Sequence, residues 1–174
     1  MNIMPLLCLI LAGGKSTRMG QDKALLYDSV NILSEKLVER GCRVVIACGG
    51  QERANLFNSE CWFDPINSNS LSEVIRSFVE QHDEEIQLFP CDMYRLDDYA
   101  IDVLLAQSPG VPVDVESNEQ PTLARIPQKC ELPHSMSLHG LFSNLNRNRL
   151  KILGNRLENF NSPNQIDGLN KSNR

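Results

Sequence analysis

The first half of the chain alternates between short apolar runs and stretches in which apolar residues recur every three or four positions. The short runs have the length of buried strands and occupy residues 6–12, 43–48, 61–65 and 86–90. The helical spacing predicts amphipathic helices over residues 29–40 and 70–81, a helix that begins at Asp97 or Asp98 and ends at Ala106, and a short helix over residues 52–58.

Strands that alternate with helices at this spacing form βαβ units. The pattern therefore predicts an α/β fold: a single-domain, Rossmann-like, mainly parallel sheet with helices on both faces. In such sheets ligands bind outside the carboxyl ends of the strands. Gly13, Gly49, Asp64 and Asp92 all fall at such ends, so we expect one crevice to gather them.

The pattern is weaker after Gln107. It predicts strands over residues 111–116, 120–125 and 157–161, a loop between Pro127 and Pro133, and a helix over residues 137–145. Ser162 and Pro163 are typical of a helix start. We expect one domain over residues 1–167 and a polar tail over residues 168–174.

Composition narrows the functional classes. The net charge of −5 argues against a general nucleic-acid surface, which needs clustered Lys and Arg. The apolar runs are far shorter than the roughly 20 residues of a membrane helix, and the first residues lack a basic signal region, so a cytoplasmic location is expected. The six cysteines form no C-x-x-C pair and are expected to be reduced, with no zinc site.

The most distinctive stretch follows the first predicted strand and reads Leu11-Ala-Gly-Gly-Lys-Ser-Thr-Arg-Met-Gly-Gln-Asp-Lys23. Its glycines allow close backbone approach to an anion, and its cations offset phosphate charge, so it has the composition of a phosphate-binding turn. It is not a P-loop, because Leu9 stands where the first glycine is required. The glycine spacing of a dinucleotide-binding turn is also absent.

The pattern L-A-G-G-x-S-x-R-M-G-x-D-K resembles the signature of nucleotidyltransferases, and most closely that of the molybdenum cofactor guanylyltransferase family. Weaker likenesses occur at Phe89-Pro-Cys-Asp92, Gln120-Pro-Thr122 and Asn159-Phe-Asn-Ser-Pro163. The resemblance implies a fold of the nucleotide-diphospho-sugar transferase type. It also implies transfer of GMP from GTP to the phosphate of the molybdenum-pterin cofactor, with release of pyrophosphate, and a protein that delivers the cofactor as a possible partner.

The resemblance also implies roles for individual residues. Leu11, Ala12 and Gly13 would contact the nucleotide through their backbone, Gly14 and Lys15 would help seat the triphosphate, and Arg18 and Lys23 would stabilise the pyrophosphate side. Asp64 would contact the nucleotide, Asp92 would bind Mg²⁺, and Asn159 and Asn161 would lie on the acceptor side. From the residues alone, Asp64 is equally well a strand-ending turn, and Asp92 a helix cap or a solvated loop acid.

Three departures from the family pattern keep alternatives open. Ala47-Cys-Gly-Gly50 lacks the family's asparagine, which leaves a cytidylyltransferase or a sugar- or polyol-phosphate nucleotidyltransferase as an alternative. The segment from Asn67 to Ser72 lacks the glycine and proline of the family's substrate loop, and Tyr94 replaces a proline. The altered loop is compatible with a non-catalytic relative that binds a nucleotide or a partner protein. The basic cluster of Arg147, Arg149 and Lys151 is interpreted as a solvated loop, or as a contact for an acceptor phosphate.

Overall fold

The computed structural model describes residues 4–14, 24–25, 28–93 and 96–150. The strands are β1 (Leu7–Leu11), β2 (Arg43–Gly49), β3 (Glu60–Phe63), β4 (Ile86–Pro90), β5 (Val111–Val113), β6 (Arg125–Ile126) and β7 (Arg147–Arg149). The α-helices are α1 (Ser29–Glu39), α2 (Leu71–Gln81), α3 (Asp98–Ala106) and α4 (Leu138–Leu141), and residues Gln51–Leu56 and Pro121–Leu123 form 3₁₀ helices.

The main sheet has the strand order β3-β2-β1-β4-β6. Its first four strands are parallel, and β6 pairs antiparallel with β4. A separate two-stranded parallel sheet joins β5 to β7. The predicted α/β fold with a mainly parallel sheet is confirmed.

Alternation along the strands divides the core into two layers. Leu7 and Leu9 face the layer that contains α2 and α4, whereas Cys8 and Ile10 face the layer that contains α1 and α3. A strand buried on both faces reads as a continuous apolar run, which is why the central strands were predictable. Helices on both faces of the sheet are therefore also confirmed.

The helices α2 and α3 begin at polar side chains that cap them. The side chain of Ser70 accepts a hydrogen bond from the backbone N–H of Glu73 at 3.2 Å, and that of Asp97 accepts one from Ala100 at 2.9 Å. Such caps satisfy N–H groups that have no partner within the helix. Among the described residues, no helix is both long and apolar enough to cross a membrane.

The predictions beyond Gln107 need correction. The strand predicted over residues 111–116 ends at Val113, because the carboxylate of Asp114 accepts the N–H groups of Glu116 and Asn118, each at 2.9 Å, and forms a turn. The strand predicted over residues 120–125 is instead a 3₁₀ turn at Pro121–Leu123 followed by the short strand β6.

Two further segments differ from their predictions. The helix predicted over residues 137–145 is limited to the four residues of α4. Arg147 and Arg149 lie in β7 rather than in a loop. The strand predicted over residues 157–161 and the helix start at Ser162 lie outside the described residues.

Candidate functional site

The carboxyl ends of four neighbouring parallel strands lie at one edge of the sheet. Gly13 follows β1, Gly49 ends β2, Asp64 follows β3, and Asp92 follows β4. The chain proceeds outward from β1 to β2 and β3, and then returns to the other side of β1 to form β4. Ligands of open α/β sheets bind at such a reversal of strand order, so this edge is the candidate site.

A cleft of about 410 Å³ opens at this edge on the α2 side of the sheet. A volume of this size is within the range of small-molecule sites. The cleft is formed by the ends of three strands, by the loop after β3 and by the first residues of α2. Its lining residues are Leu11, Gly13, Gly14, Ala47, Asp64, Ser68, Asn69, Ser70, Leu71 and Val74.

Two glycines, Gly13 and Gly49, approach each other closely at the site. A Cβ atom on Gly13 would lie 3.1 Å from the backbone nitrogen of Gly49, and one on Gly49 would lie 2.8 Å from the carbonyl oxygen of Gly13. Gly49 also has a φ of 88°, which side chains disfavour. The segment that lacks the family's asparagine therefore serves to bring the ends of β1 and β2 into backbone contact.

Ala12, which the resemblance assigned to nucleotide contact, has both backbone polar groups in use. Its N–H donates to the carbonyl of Ala47 at 2.9 Å, and its carbonyl accepts from Nη2 of Arg53 at 2.7 Å. Ala12 is only 1% exposed, whereas Gly13 and Gly14 are exposed. In the described part of the turn, the glycines present their backbone to solvent.

Arg53 is a residue of this edge that the sequence reasoning missed. It is 5% exposed, and its Nε donates to the carbonyl of Cys48 at 2.8 Å. The guanidinium lies 5.9 Å from the centre of the Phe57 ring. The short 3₁₀ helix after Gly50 turns this side chain back beneath the ends of β1 and β2. An arginine within a predicted short helix carries no signal for such a position.

Asp64 contributes a half-buried carboxylate to the cleft. Its backbone N–H donates to the carbonyl of Gly49 at 2.8 Å, which fixes the start of the loop after β3. Burial raises the pKa of the carboxyl group above its ordinary value. Within the described residues, no side chain forms a hydrogen bond or ion pair with this carboxylate.

The loop from Ser68 to Ser70 leads into the N-terminus of α2 at the cleft. Ser70 accepts the N–H of Glu73 as in a capping box, while the carboxylate of Glu73 accepts the N–H of Asn69, one residue before the cap. Ser68 donates through both its N–H and its hydroxyl to the carbonyl of Pro65, at 3.0 and 2.8 Å. The segment that departs from the family pattern is therefore a hydrogen-bonded wall of the cleft.

Asp92 lies two residues beyond β4 and is half-buried. Mg²⁺ in phosphoryl-transfer sites is held by one or two carboxylates together with substrate phosphates, so a single aspartate here fits a metal that completes its shell from the nucleotide. Among the described residues, no group of three or more His, Cys, Asp or Glu side chains could hold a metal by itself. None of the six cysteines, all of which lie among the described residues, forms a disulfide bond.

The other residues predicted for the site lie outside the part of the chain that the structure describes. Lys15, Arg18, Lys23, Asn159 and Asn161 lie outside the described residues, and their roles stay predictions. Lys151 of the basic cluster lies outside them as well.

Arg147 is not a solvated cation, because its guanidinium is bonded within the protein. Its Nε donates to a carboxylate oxygen of Glu119 at 2.7 Å, and its Nη1 donates to the carbonyls of Phe142 and Leu145 at 2.9 and 2.8 Å. These bonds secure β7 and the turn before it.

The sequence profile of the MobA-like NTP transferase domain matches residues 8–147, which include Gly13, Gly49, Asp64 and Asp92. The chain belongs to this family. Membership of the MobA-like NTP transferase domain family makes it a nucleotidyltransferase with an NTP substrate, and such enzymes typically use a divalent metal. No curated protein matches the chain in sequence.

Solved structures share the fold. Aq1419 from Aquifex aeolicus VF5 has 18% identity and a TM-score of 0.67, over 90% of this chain and 93% of that one. Rv0371c from Mycobacterium tuberculosis H37Rv has 13% identity and a TM-score of 0.62, over 95% and 97%. The 4-diphosphocytidyl-2C-methyl-D-erythritol synthase from Anaerococcus prevotii has 8% identity and a TM-score of 0.54, over 97% of both chains. The likeness supports the predicted nucleotide-diphospho-sugar transferase type of fold.

Proposed function

We propose that this nucleotidyltransferase transfers GMP from GTP to the terminal phosphate of the molybdenum-pterin cofactor. An oxygen of the acceptor phosphate forms a bond to the α-phosphorus, the bond between that phosphorus and the α–β bridging oxygen breaks, and pyrophosphate leaves. The observation that carries the proposal is the glycine-lined cleft at the reversal of strand order, with the carboxylate of Asp64 in its wall.

The chemistry of Asp64 favours guanine as the base. Guanine presents its N1–H and its N2 amine as adjacent donors, and a carboxylate can accept both. Hydrogen bonds to a charged acceptor in a half-buried setting contribute more than those between neutral groups. Cytosine and adenine offer one amine and no adjacent ring N–H, so they would leave one carboxylate oxygen without a partner.

The phosphates would lie along the exposed backbone of Gly13 and Gly14. Catalysis of this transfer depends on positioning and charge stabilisation rather than on a covalent nucleophile. The cations Lys15, Arg18 and Lys23 follow these glycines in the chain and would offset the charge of the triphosphate. Asn159 and Asn161 would order the acceptor side.

Asp92 would hold Mg²⁺ through its carboxylate. The bound metal would supply charge neutralisation to the phosphate oxygens. What the protein itself contributes is the location of this carboxylate, two residues beyond a buried strand and at the same edge as the glycines. A carboxylate held at a strand end keeps its position relative to the turn after β1.

A second candidate keeps the reaction and changes the substrates. It is a cytidylyltransferase acting on the pterin, or a transferase for a sugar or polyol phosphate. The observation that favours it is the absence of an amide at the end of β2, where the chain has Gly49 and Gly50 packed against the turn after β1.

Pyrophosphate release tests these candidates. The protein is incubated with Mg²⁺, one of GTP, CTP, ATP or UTP, and either molybdopterin or a panel of sugar and polyol phosphates, while isothermal titration measures the affinity for each nucleotide. Release with GTP and molybdopterin alone supports the proposal. Release with CTP, or with a sugar or polyol phosphate, selects the second candidate, and nucleotide binding without release with any acceptor identifies a non-catalytic relative.

A further inference from the structure

None of the roles above uses Arg53, although it forms hydrogen bonds at the carboxyl ends of both β1 and β2. Its Nη2 donates to the carbonyl of Ala12 at 2.7 Å and its Nε donates to the carbonyl of Cys48 at 2.8 Å. Ala12 immediately precedes Gly13, and Cys48 immediately precedes Gly49. One guanidinium group therefore bridges the two residues from which both glycine turns start.

The bridge is short, buried and geometrically specific. Arg53 is 5% exposed, so water does not compete for its two carbonyl acceptors. Guanidinium is a planar fork whose donors point in fixed directions, whereas a lysine ammonium is a single charged centre on a flexible stem. A lysine at this position would not reproduce both bonds at these distances.

The two bridged turns are also in direct contact. The backbone nitrogen of Gly49 is close enough to Gly13 that neither residue can carry a Cβ without displacement. The pairing of β2 with β3 has a register shift between Ala47 and Gly49, so Cys48 has no paired residue on β3. The bond from Arg53 gives the carbonyl of Cys48 a side-chain partner at this irregular position.

We propose that Arg53 is a positioning residue of the nucleotide site: its guanidinium holds the turn at Gly13, which lines the cleft, against the turn at Gly49, so that the two turns act as a single wall. The consequence for nucleotide affinity rests on the proposed function of that cleft. Arg53 acts through the backbone of these turns, and the loss of its fork misplaces the N–H groups that face the phosphates. Hydrogen bonds to charged phosphates that are lost in this way weaken nucleotide binding by roughly tenfold to 100-fold.

Arg125 offers a matched control within the same sheet. It is also 5% exposed and also bonds two main-chain carbonyls, those of Leu104 and Leu105 at 3.2 and 2.6 Å. It lies beside Gln87 near the amino end of β4, away from the cleft. A purely structural role for Arg53 predicts that equivalent changes at the two arginines have equivalent effects.

The test compares R53K, R53A and R125K with the unaltered protein by isothermal titration of GTP in the presence of Mg²⁺, below the unfolding temperature of every variant. We expect R53K and R53A to weaken binding by roughly tenfold to 100-fold, and R125K to lower the melting temperature while leaving the Kd within twofold. Guanidinium chloride at non-denaturing concentration should restore the affinity of R53A, because the free ion can occupy the emptied position.

Amide hydrogen exchange reports on the wall without any nucleotide. In R53K the amides of Ala12 and Asp64, which bond the carbonyls of Ala47 and Gly49, should exchange at least tenfold faster. In R125K the faster amide should instead be that of Gly110, which bonds the carbonyl of Arg125. If the unaltered protein binds none of the four nucleoside triphosphates, the proposed function fails, and the exchange rates still decide whether Arg53 holds the wall.

Four results would overturn the inference. Unchanged exchange at Ala12 and Asp64 in R53K would show that Arg53 does not hold the wall. Faster exchange with an unchanged Kd would show a structural role alone. Equal loss of affinity in R53K and R125K, or no rescue of R53A by guanidinium, would show that the effect is one of general stability.

Discussion

Two buried arginines lie at opposite ends of the same sheet and have different surroundings. At the amino end, Arg125 bonds the carboxylate of Glu85 at 2.9 Å, the side chain of Gln87 at 3.0 Å and the last carbonyls of α3. At the carboxyl end, Arg53 bonds the carbonyls from which two glycine turns start. The first arrangement stabilises the packing of a helix on the sheet, and the second shapes the wall of a cleft.

The comparison teaches that burial alone does not tell whether a charged residue serves stability or function. Arg125 forms an ion pair and lies at a helix C-terminus, where the partial negative charge favours a cation. Arg53 acts on main-chain atoms at the edge where ligands of α/β sheets bind. Changes at the carboxyl end should therefore alter substrate handling, and changes at the amino end should alter unfolding.

The largest expected effect is on turnover. Asp92→Asn should lower kcat on the order of 1,000-fold, because an amide holds a divalent cation less well than a carboxylate and several kcal/mol of transition-state stabilisation are lost. The control is Asp102→Asn. Asp102 is an exposed acid on α3 that pairs with Arg40, so its substitution should leave kcat unchanged. Steady-state pyrophosphate release measures both, and equal kcat values for the two variants would remove Asp92 from the catalytic site.

Next in size is the loss of stability at the amino end. Arg125→Met should reduce the free energy of unfolding by about 3 kcal/mol, because the side chain of Gln87 and the carbonyls of Leu104 and Leu105 each lose a buried donor. The variant's Kd for GTP should stay within twofold of the original when both are folded. Urea denaturation gives the stability, and a large loss of affinity without a loss of stability would contradict the contrast between the two ends.

A smaller effect is expected for the glycine contact. Gly49→Ala should cost about 2 to 3 kcal/mol, because the added Cβ has both an unfavourable positive φ and a 2.8 Å approach to the carbonyl oxygen of Gly13. Gly41→Ala is the matched control: Gly41 has a φ of 78° with no atom within 4 Å of its Cβ position, so it should cost about 1 kcal/mol. Urea denaturation measures both, and equal costs would show that the contact with Gly13 adds nothing.

The smallest effect on stability is expected at Asp64. Burial raises the pKa of its carboxyl group, so the folded state disfavours the charged form. This penalty is absent in acid, where the group is protonated in both states, and develops as the pH rises through the folded-state pKa. Asp64→Asn should therefore stabilise the free protein at neutral pH, and solvent screening limits the gain to about 0.5 kcal/mol.

The gain from Asp64→Asn should vanish as the pH falls below the ordinary range of an aspartate. The same substitution should weaken GTP binding about tenfold, since a charged acceptor is lost. Unfolding curves between acid and neutral pH, with titrations of GTP at neutral pH, measure both quantities. A variant that is less stable than the original protein at neutral pH would contradict the assignment of burial as the cause of the shift.

The first half of the fold was predictable because each element there is specified by its own residues. β4 was predicted with its observed bounds, and α2 has apolar residues on one face and Ser70 at its start. β6 and β7 are two and three residues long and depend on partners distant in the sequence. From the sequence Arg147 is predicted to be a surface cation, because nothing near it in the chain indicates its bond to Glu119.

The candidate site was predictable at the strand ends and not between them. The positions of Gly13, Gly49, Asp64 and Asp92 follow from the rule that parallel strands end at one edge. The role of Arg53 depends on the path of its side chain back toward β1, which no local pattern encodes.

The contact between Gly13 and Gly49 has a consequence for how the two positions can vary. A Cβ atom at either position would lie against the backbone of the other residue, and a mutation changes side chains but cannot remove backbone atoms. No substitution at one position can therefore compensate for a change at the other. A library that randomises both codons and is selected for a functional enzyme should be strongly enriched in the glycine pair.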